Sequence, residues 1–364
     1  MKFTIKPVKK EKNKVRMDGA RLSEITTGEW TDPTTQDAGA TVEEFLTRLG
    51  GPAWVFLTGE DSSRTRAVTT LLHGNEPSGV RAIFQWLRAG TRPRVNLACF
   101  IGAVDAAMAP PGFAHRQLPD SRDLNRCFRM PFEGREGRLA AGVLDRLRVI
   151  GPEALVDFHN TSGRSPAYGV TTQLGEPQKA LTALVSNHLI VTDLRMGTLM
   201  EATEDDFPTI TAECGGAGDA LSDQTAMTAL KSYAMAESLW DEPQRYAHVK
   251  TFHHPIRVSL EAGKQVAYGA AAVPGVDLTL RSDADHFNFG ILNQGQVLGW
   301  VRDASPGVVV ARDAKGRDRT LELFAVDAGR LVVAQASRIM MMTTNPQIAV
   351  SDCLFYCLPV SSSD

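Results

Sequence analysis

The chain has 364 residues, of which 43% are hydrophobic and 22% charged, with a formal net charge of -3. That balance gives no support to nucleic acid or an anionic membrane as the partner. The apolar content supplies a core without help from metal or disulfides, and the length suits one large domain plus a smaller one.

The start, MKFTIKPVKKEKNKVRMDG, is basic but has no apolar run behind it, so a secretory signal is not expected. No stretch approaches the roughly 18 apolar residues of a membrane span. Five cysteines, at 99, 127, 214, 353 and 357, form no CxxC pair. They read as reduced thiols of a cytoplasmic protein. Cys353 and Cys357 lack a second ligand pair and read as core rather than as half of a zinc site.

Residues 1–40 are polar and turn-rich and read as an irregular N-terminal arm. TVEEFLTRLG then predicts a short helix, with Thr41 as cap, Glu44 three residues later and Gly50 as stop. AWVFLTGE (53–60) and RAVTTLLHG (66–74) are strand-like. In SGVRAIFQWLRAG, Val80, Ile83, Phe84 and Leu87 recur at helical spacing. Strand-like runs follow at 95–104, 154–161, 189–197 and 209–216. Helical stripes lie between or after them: Leu139, Val143 and Leu147, then QKALTALVSNHL, then the long segment 219–240. Strand and helix taking turns predicts an α/β domain, a mostly parallel or mixed sheet with helices on both faces. After about residue 245 the helical stripes vanish. Short apolar runs broken by Gly, Pro and Asp predict a smaller all-β domain over 246–364.

Four segments carry candidate chemistry. In LLHGNEPSG, His73 and Glu76 are separated by two residues where a strand gives way to a turn, and both are good zinc ligands. The same pair also suits a turn histidine and a glutamate that favours a helix start. In LVDFHNT, His159 sits where a strand runs out, and Asp157 leaves the same face. A carboxylate there can hold a ligand histidine in one tautomer. His73, Glu76 and His159 all fall at predicted strand C-termini, the edge where open α/β sheets bind ligands. Two histidines and a glutamate are also the donor set of a catalytic zinc site with an open position. In TAECGGAGD, Glu213 ends another strand and could take a proton from water beside such a metal. Cys214 beside it has no activating partner and is set aside. In SRDLNRCF, Asn125 and Arg126 combine an amide with a guanidinium, a pairing suited to a carboxylate. His253 and His254 have no carboxylate at ligand spacing and read as structural.

The order HGNEPSG, DLNR, DFHNT, AECGG, over about residues 66–219, resembles the succinylglutamate desuccinylase/aspartoacylase family, a branch of the zinc carboxypeptidase-like enzymes. The resemblance implies a three-layer α/β/α zinc-carboxypeptidase-like catalytic domain over 41–245 and a β domain that walls the site. It implies one zinc ion on His73, Glu76 and His159, with Glu213 as general base and acid. It implies Asn125 and Arg126 as binders of the substrate carboxylate. It implies an arginine shortly before DLNR that stabilises the oxyanion, Arg116 being the candidate and Arg122 the alternative. Tyr268 and Tyr356 are the candidates for a substrate-binding tyrosine of the β domain. The expected activity is hydrolysis of the amide bond of a small N-acyl amino acid or related carboxylate. The alternatives are a carboxypeptidase acting on short peptides and a non-catalytic binding protein on the same fold. Other divalent ions also suit this donor set. The expected partner is a small-molecule carboxylate, and homo-oligomerisation is left open.

Overall fold

The computed structural model describes residues 27–303 and 305–360. Nine strands form one sheet: β1 (Gly28–Thr31), β2 (Ala53–Leu57), β3 (Asp61–Thr70), β4 (Val95–Ile101), β5 (Leu155–Thr161), β6 (Tyr168–Thr171), β7 (His188–Val191), β8 (Thr209–Gly216) and β9 (Lys250–His253). Their order is β1-β2-β4-β3-β5-β8-β6-β7-β9. β2 is antiparallel to β4 and β6 to β8, and the other neighbours are parallel. The central strands β4, β3, β5 and β8 therefore end on one edge.

The helices that cover this sheet include α1 (Val42–Leu49), α2 (Ser78–Ala89), α3 (Gly134–Ile150), α4 (Glu176–Ala183), α5 (Leu199–Thr203) and α6 (Ala220–Met235). Period-two side chains feed two cores. Val68 and Val156 join α1, α2 and α6 in one apolar cluster, whereas their neighbours Ala67 and Leu155 join α3 and Leu199 in another. Helices thus bury both faces of the sheet, which is the expected α/β/α layering. Thr41 caps α1 by accepting the Glu44 N–H at 3.1 Å, and Gly50 ends the helix in the left-handed region with φ 69°. The Glu44 carboxylate accepts from the Ala40 N–H at 2.8 Å, one residue before the cap.

Two differences from the sequence reading concern the ends of this region. The expected irregular arm lies outside the described residues up to position 26. Beyond that it is ordered: Gly28–Thr31 pairs in parallel with β2, and Trp30 packs edge-on against Phe45 at 5.9 Å. Four residues carry too little pattern to announce a strand, and the neighbouring β2 supplies the pairing. At the other end, β9 follows residue 245 and still pairs with β7.

From Ile256 onward two five-stranded sheets enclose a single core containing Val258, Leu280, Leu298, Leu331 and Phe355, all fully buried. One sheet includes Ile256–Leu260, Ser337–Met340 and Phe355–Pro359, and the other includes Leu278–Arg281, Val297–Val301 and Arg330–Val333. No helix among the described residues is long and apolar enough to cross a membrane.

Candidate active site

The HGNE turn is shaped by backbone before side chains. Leu71, fully buried, takes φ 56° directly after β3 and turns the chain across the sheet edge. For a bulky residue that conformation costs energy that the surrounding packing must hold in place. Gly74 follows where a Cβ would lie 2.6 Å from the Ala107 nitrogen and 2.7 Å from the His115 carbonyl oxygen, so only glycine fits. Its N–H donates to the Arg116 carbonyl at 2.9 Å and ties the Arg116 loop to the turn.

His73, Glu76 and His159 converge there, all buried, with one potential ligand atom from each lying within 4.8 Å of the others. Their hydrogen bonds are symmetric. Nδ1 of His73 lies 2.8 Å from Oε1 of Glu76, and Nδ1 of His159 lies 2.6 Å from Oε2. On the outer side, Nε2 of His73 meets Asp123 at 3.0 Å and Nε2 of His159 meets Asp157 at 2.8 Å. An ionised carboxylate only accepts, so each outer Nε2 donates and each inner Nδ1 is left with a lone pair. Two lone pairs facing a carboxylate repel unless protons or a cation lie between them.

Without a cation, protons must serve. Burial alone would raise the Glu76 carboxyl, but the charges of His73 and His159 hold it well below the usual carboxylate range. Burial alone would lower His159, but Asp157 and Glu76 raise it well above the ordinary imidazole value. A divalent cation is the other solution, and the donor set fits one: two neutral imidazoles and a carboxylate, each imidazole oriented by an aspartate. Asp157 is itself fully buried and is held by Thr69 Oγ1 at 2.6 Å.

Glu213 projects from β8 beside this cluster, in register with His159 on β5. It is buried, and its Oε2 has no hydrogen-bond partner among the described residues. Burial pushes its carboxyl up to about 7, against the pull of His159 and with the help of Glu76. A partnerless buried carboxyl is costly unless it serves a ligand. Asn160, next to His159, stitches the same edge together: its Oδ1 accepts the Ser78 N–H at 3.0 Å, and its Nδ2 donates to Ser78 Oγ and to the Gly215 carbonyl.

One cavity unites these groups with Arg116, Asn125 and Arg126. The Asn125 Oδ1 accepts the Leu199 N–H at 3.0 Å, which leaves the amide NH2 as the end to offer a ligand. Arg126 donates from Nη1 to the Asn125 carbonyl at 3.0 Å. Arg116 lines the cavity, with Nε and Nη2 donating to Asp123 at 3.0 and 2.9 Å. Arg122 is exposed and donates to the Glu133 carbonyl, away from the cavity. Tyr356 lines the cavity and Tyr268 is absent from its walls.

Two participants in the site and one surface partner escaped the sequence reading. Asp123 stands in the DLNR motif itself, and its spacing before Asn125 was its only signal. Asp352 lies 3.3 Å from the Arg126 guanidinium and 3.7 Å from that of Arg116, and it also meets Arg257 at 3.3 Å. No local pattern announces it. The third is Asp193, whose carboxylate pairs with Nδ1 of His254 on the surface, so that histidine does have an acidic neighbour, brought from the loop after β7. Cys353 lines the cavity wall, and Cys357 is fully buried in the β core, away from any other ligand-type cluster among the described residues.

The layered sheet, with this cluster at its C-terminal edge, defines an α/β/α catalytic-type fold. Residues 63–239 match the family model of the succinylglutamate desuccinylase/aspartoacylase catalytic domain. Over these residues the chain is similar to that family. Solved structures similar over most of the length include a succinylglutamate desuccinylase from Vibrio parahaemolyticus, at 14% identity and TM-score 0.55, covering 89% of this chain and 96% of that one. The ectoine utilization protein EutE (DoeB) from Ruegeria pomeroyi is similar at 16% identity and TM-score 0.52, covering 84% and 87%. A succinylglutamatedesuccinylase/aspartoacylase from Rhodobacter sphaeroides is similar at 16% identity and TM-score 0.51, covering 85% and 88%. Identities this low establish a shared fold. No curated protein matches the chain.

Proposed function

We propose that the protein is a zinc-dependent amidohydrolase that removes the acyl group from a small N-acyl amino acid or related carboxylate. One observation carries the reading: the partnerless Glu213 carboxyl shares a cavity with the inward-facing donors of His73, Glu76 and His159. A zinc ion held by those three residues would supply Lewis acidity for water and for the scissile carbonyl. Glu213 accepts a proton from water at its free Oε2 and later delivers it to the departing nitrogen. Asn125 and Arg126 bind the substrate carboxylate and so orient the amide. Arg116 adds positive charge at the cavity wall where the carbonyl oxygen becomes anionic. Asp123 and Asp157 keep the histidine donors aimed inward. The five cysteines are unpaired and buried, which suits a reducing cytoplasm.

The test is elemental analysis of the purified protein beside His73→Ala, together with a screen of N-acyl amino acids and of short peptides. About one zinc per chain, lost in the variant, with acyl amino acids cleaved and peptides spared, supports the reading. No metal after zinc is supplied, or cleavage of peptides alone, refutes it.

A further inference from the structure

The cavity has two unlike walls. One carries the metal-ligand candidates, Glu213 and the arginines. The other is apolar: Val170 on β6, Ile190 on β7, Leu194 and Met196 in the following loop, Met200 on α5, and Ile348 of α7 (Pro346–Ser351).

The position of this wall relative to the carboxylate arm follows from hydrogen bonds. The Leu199 N–H donates to Asn125 Oδ1 and the Phe128 N–H donates to the Gly197 carbonyl, both at 3.0 Å. Gly197 has φ 81°, and a Cβ there would lie 2.9 Å from the Arg126 carbonyl oxygen. The segment bearing Met196 and Met200 is thus pressed directly onto Asn125 and Arg126. Any group attached beside the bound carboxylate meets that apolar wall.

The charges around the cavity lead to the same conclusion. Its only lining arginines or lysines among the described residues are Arg116 and Arg126. Arg116 already serves Asp123, and Asp352 lies against both guanidiniums. The acidic lining residue nearest the apolar segment, Glu201, accepts the Met196 and Gly197 N–H groups at 2.9 to 3.0 Å. A second substrate carboxylate, as in an acidic amino acid, would find apolar side chains and threonine hydroxyls but no free cation. Burying a charge without a partner costs far more than burying an apolar group returns.

Resting on the deacylase reading above, we infer that the amino-acid half of the substrate carries an apolar side chain, so that the enzyme acts on N-acyl derivatives of residues such as leucine or methionine rather than aspartate or glutamate. The carboxylate seats on Asn125 and Arg126, and the side chain lies against Met196, Met200, Ile190 and Val170.

Two measurements on the purified full-length protein test this. The first is calorimetric binding of the free amino acids L-leucine, L-methionine, L-aspartate and L-glutamate, which are the products. The second is kcat/KM for their N-acetyl derivatives. Apolar members should lead acidic ones by about 10- to 100-fold in both. Met196→Lys, in a half-buried loop position, should erase or reverse that preference. Met200→Ala should weaken leucine and methionine binding about tenfold and leave aspartate unaffected, which keeps the test open if the lysine variant does not fold. Equal or better binding or turnover of the acidic members overturns the inference and leaves the deacylase reading standing. Preferential binding of apolar amino acids with no N-acyl compound cleaved refutes the deacylase reading and leaves the pocket assignment standing.

Discussion

The α/β region and the β-rich region contribute to the same cavity by different routes. In the first, the candidate metal donors and the candidate proton carrier leave the ends of central strands. His73 and Glu76 follow β3, while His159 and Glu213 sit near the ends of β5 and β8. Position along the chain is nearly position in the site, because parallel strands deliver their C-termini to one edge. In the second region, Asp352, Tyr356 and Ile348 reach the cavity from a segment whose own core is built elsewhere, around Val258, Leu280 and Phe355. Their role exists only because two separately packed units meet. The first region holds the candidate donors and the proposed proton carrier. The second supplies a wall and a carboxylate that balances the arginines.

The largest effect expected from this contrast lies at Glu213. Glu213→Gln should lower kcat by about 10²- to 10⁴-fold with little change in melting temperature, because it removes a buried group that lacks a protein partner. Near-normal turnover would show that the proton is carried elsewhere. Next come the aspartates behind the histidines. Asp157→Asn and Asp123→Asn should each weaken zinc affinity about 10- to 100-fold, read by competition with a chelator. Equal affinity in both variants would mean that the outer hydrogen bonds do not orient the rings.

In the β-rich region, Asp352→Asn should act mainly on stability and KM. It leaves Arg116, Arg126 and Arg257 without their shared carboxylate, a loss of about 1 to 3 kcal/mol for a part-buried ion-pair cluster, and kcat should change less than KM. A fall in kcat as large as that of Glu213→Gln would break the division between chemistry and wall. Arg116→Ala and Arg122→Ala sharpen the same comparison within one loop: the first should lose about 10²-fold or more in kcat, and the second should be near neutral because it is exposed and directed away. The smallest effect concerns the thiols. Burial raises Cys99, Cys353 and Cys357 to about 12. A thiol reagent at pH 8 should label the native protein slowly and all five cysteines after denaturation, five being the number in the sequence; rapid native labelling would contradict the packing of both cores.

Where the signal was local, the sequence carried it. The cap at Thr41, the helical stripe of Val80, Ile83 and Leu87, and the strand ends before His73, His159 and Glu213 each depend on residues within one or two turns of chain. They determined the α/β class, the candidate donors and the proposed proton carrier. The placement of Arg116 rather than Arg122 on the cavity wall, and of Asp123 behind His73, depended on where the long loop after β4 folds back, and that of Tyr356 rather than Tyr268 on how the β-rich region meets the α/β region. Asp352 on the arginines, separated by 226 residues from Arg126, and the apolar wall gathered from β6, β7, α5 and α7 were settled by tertiary packing alone. A side chain acquires such roles from its neighbours in space, and packing between separate cores follows shape and buried area, which leave no period or spacing in the chain.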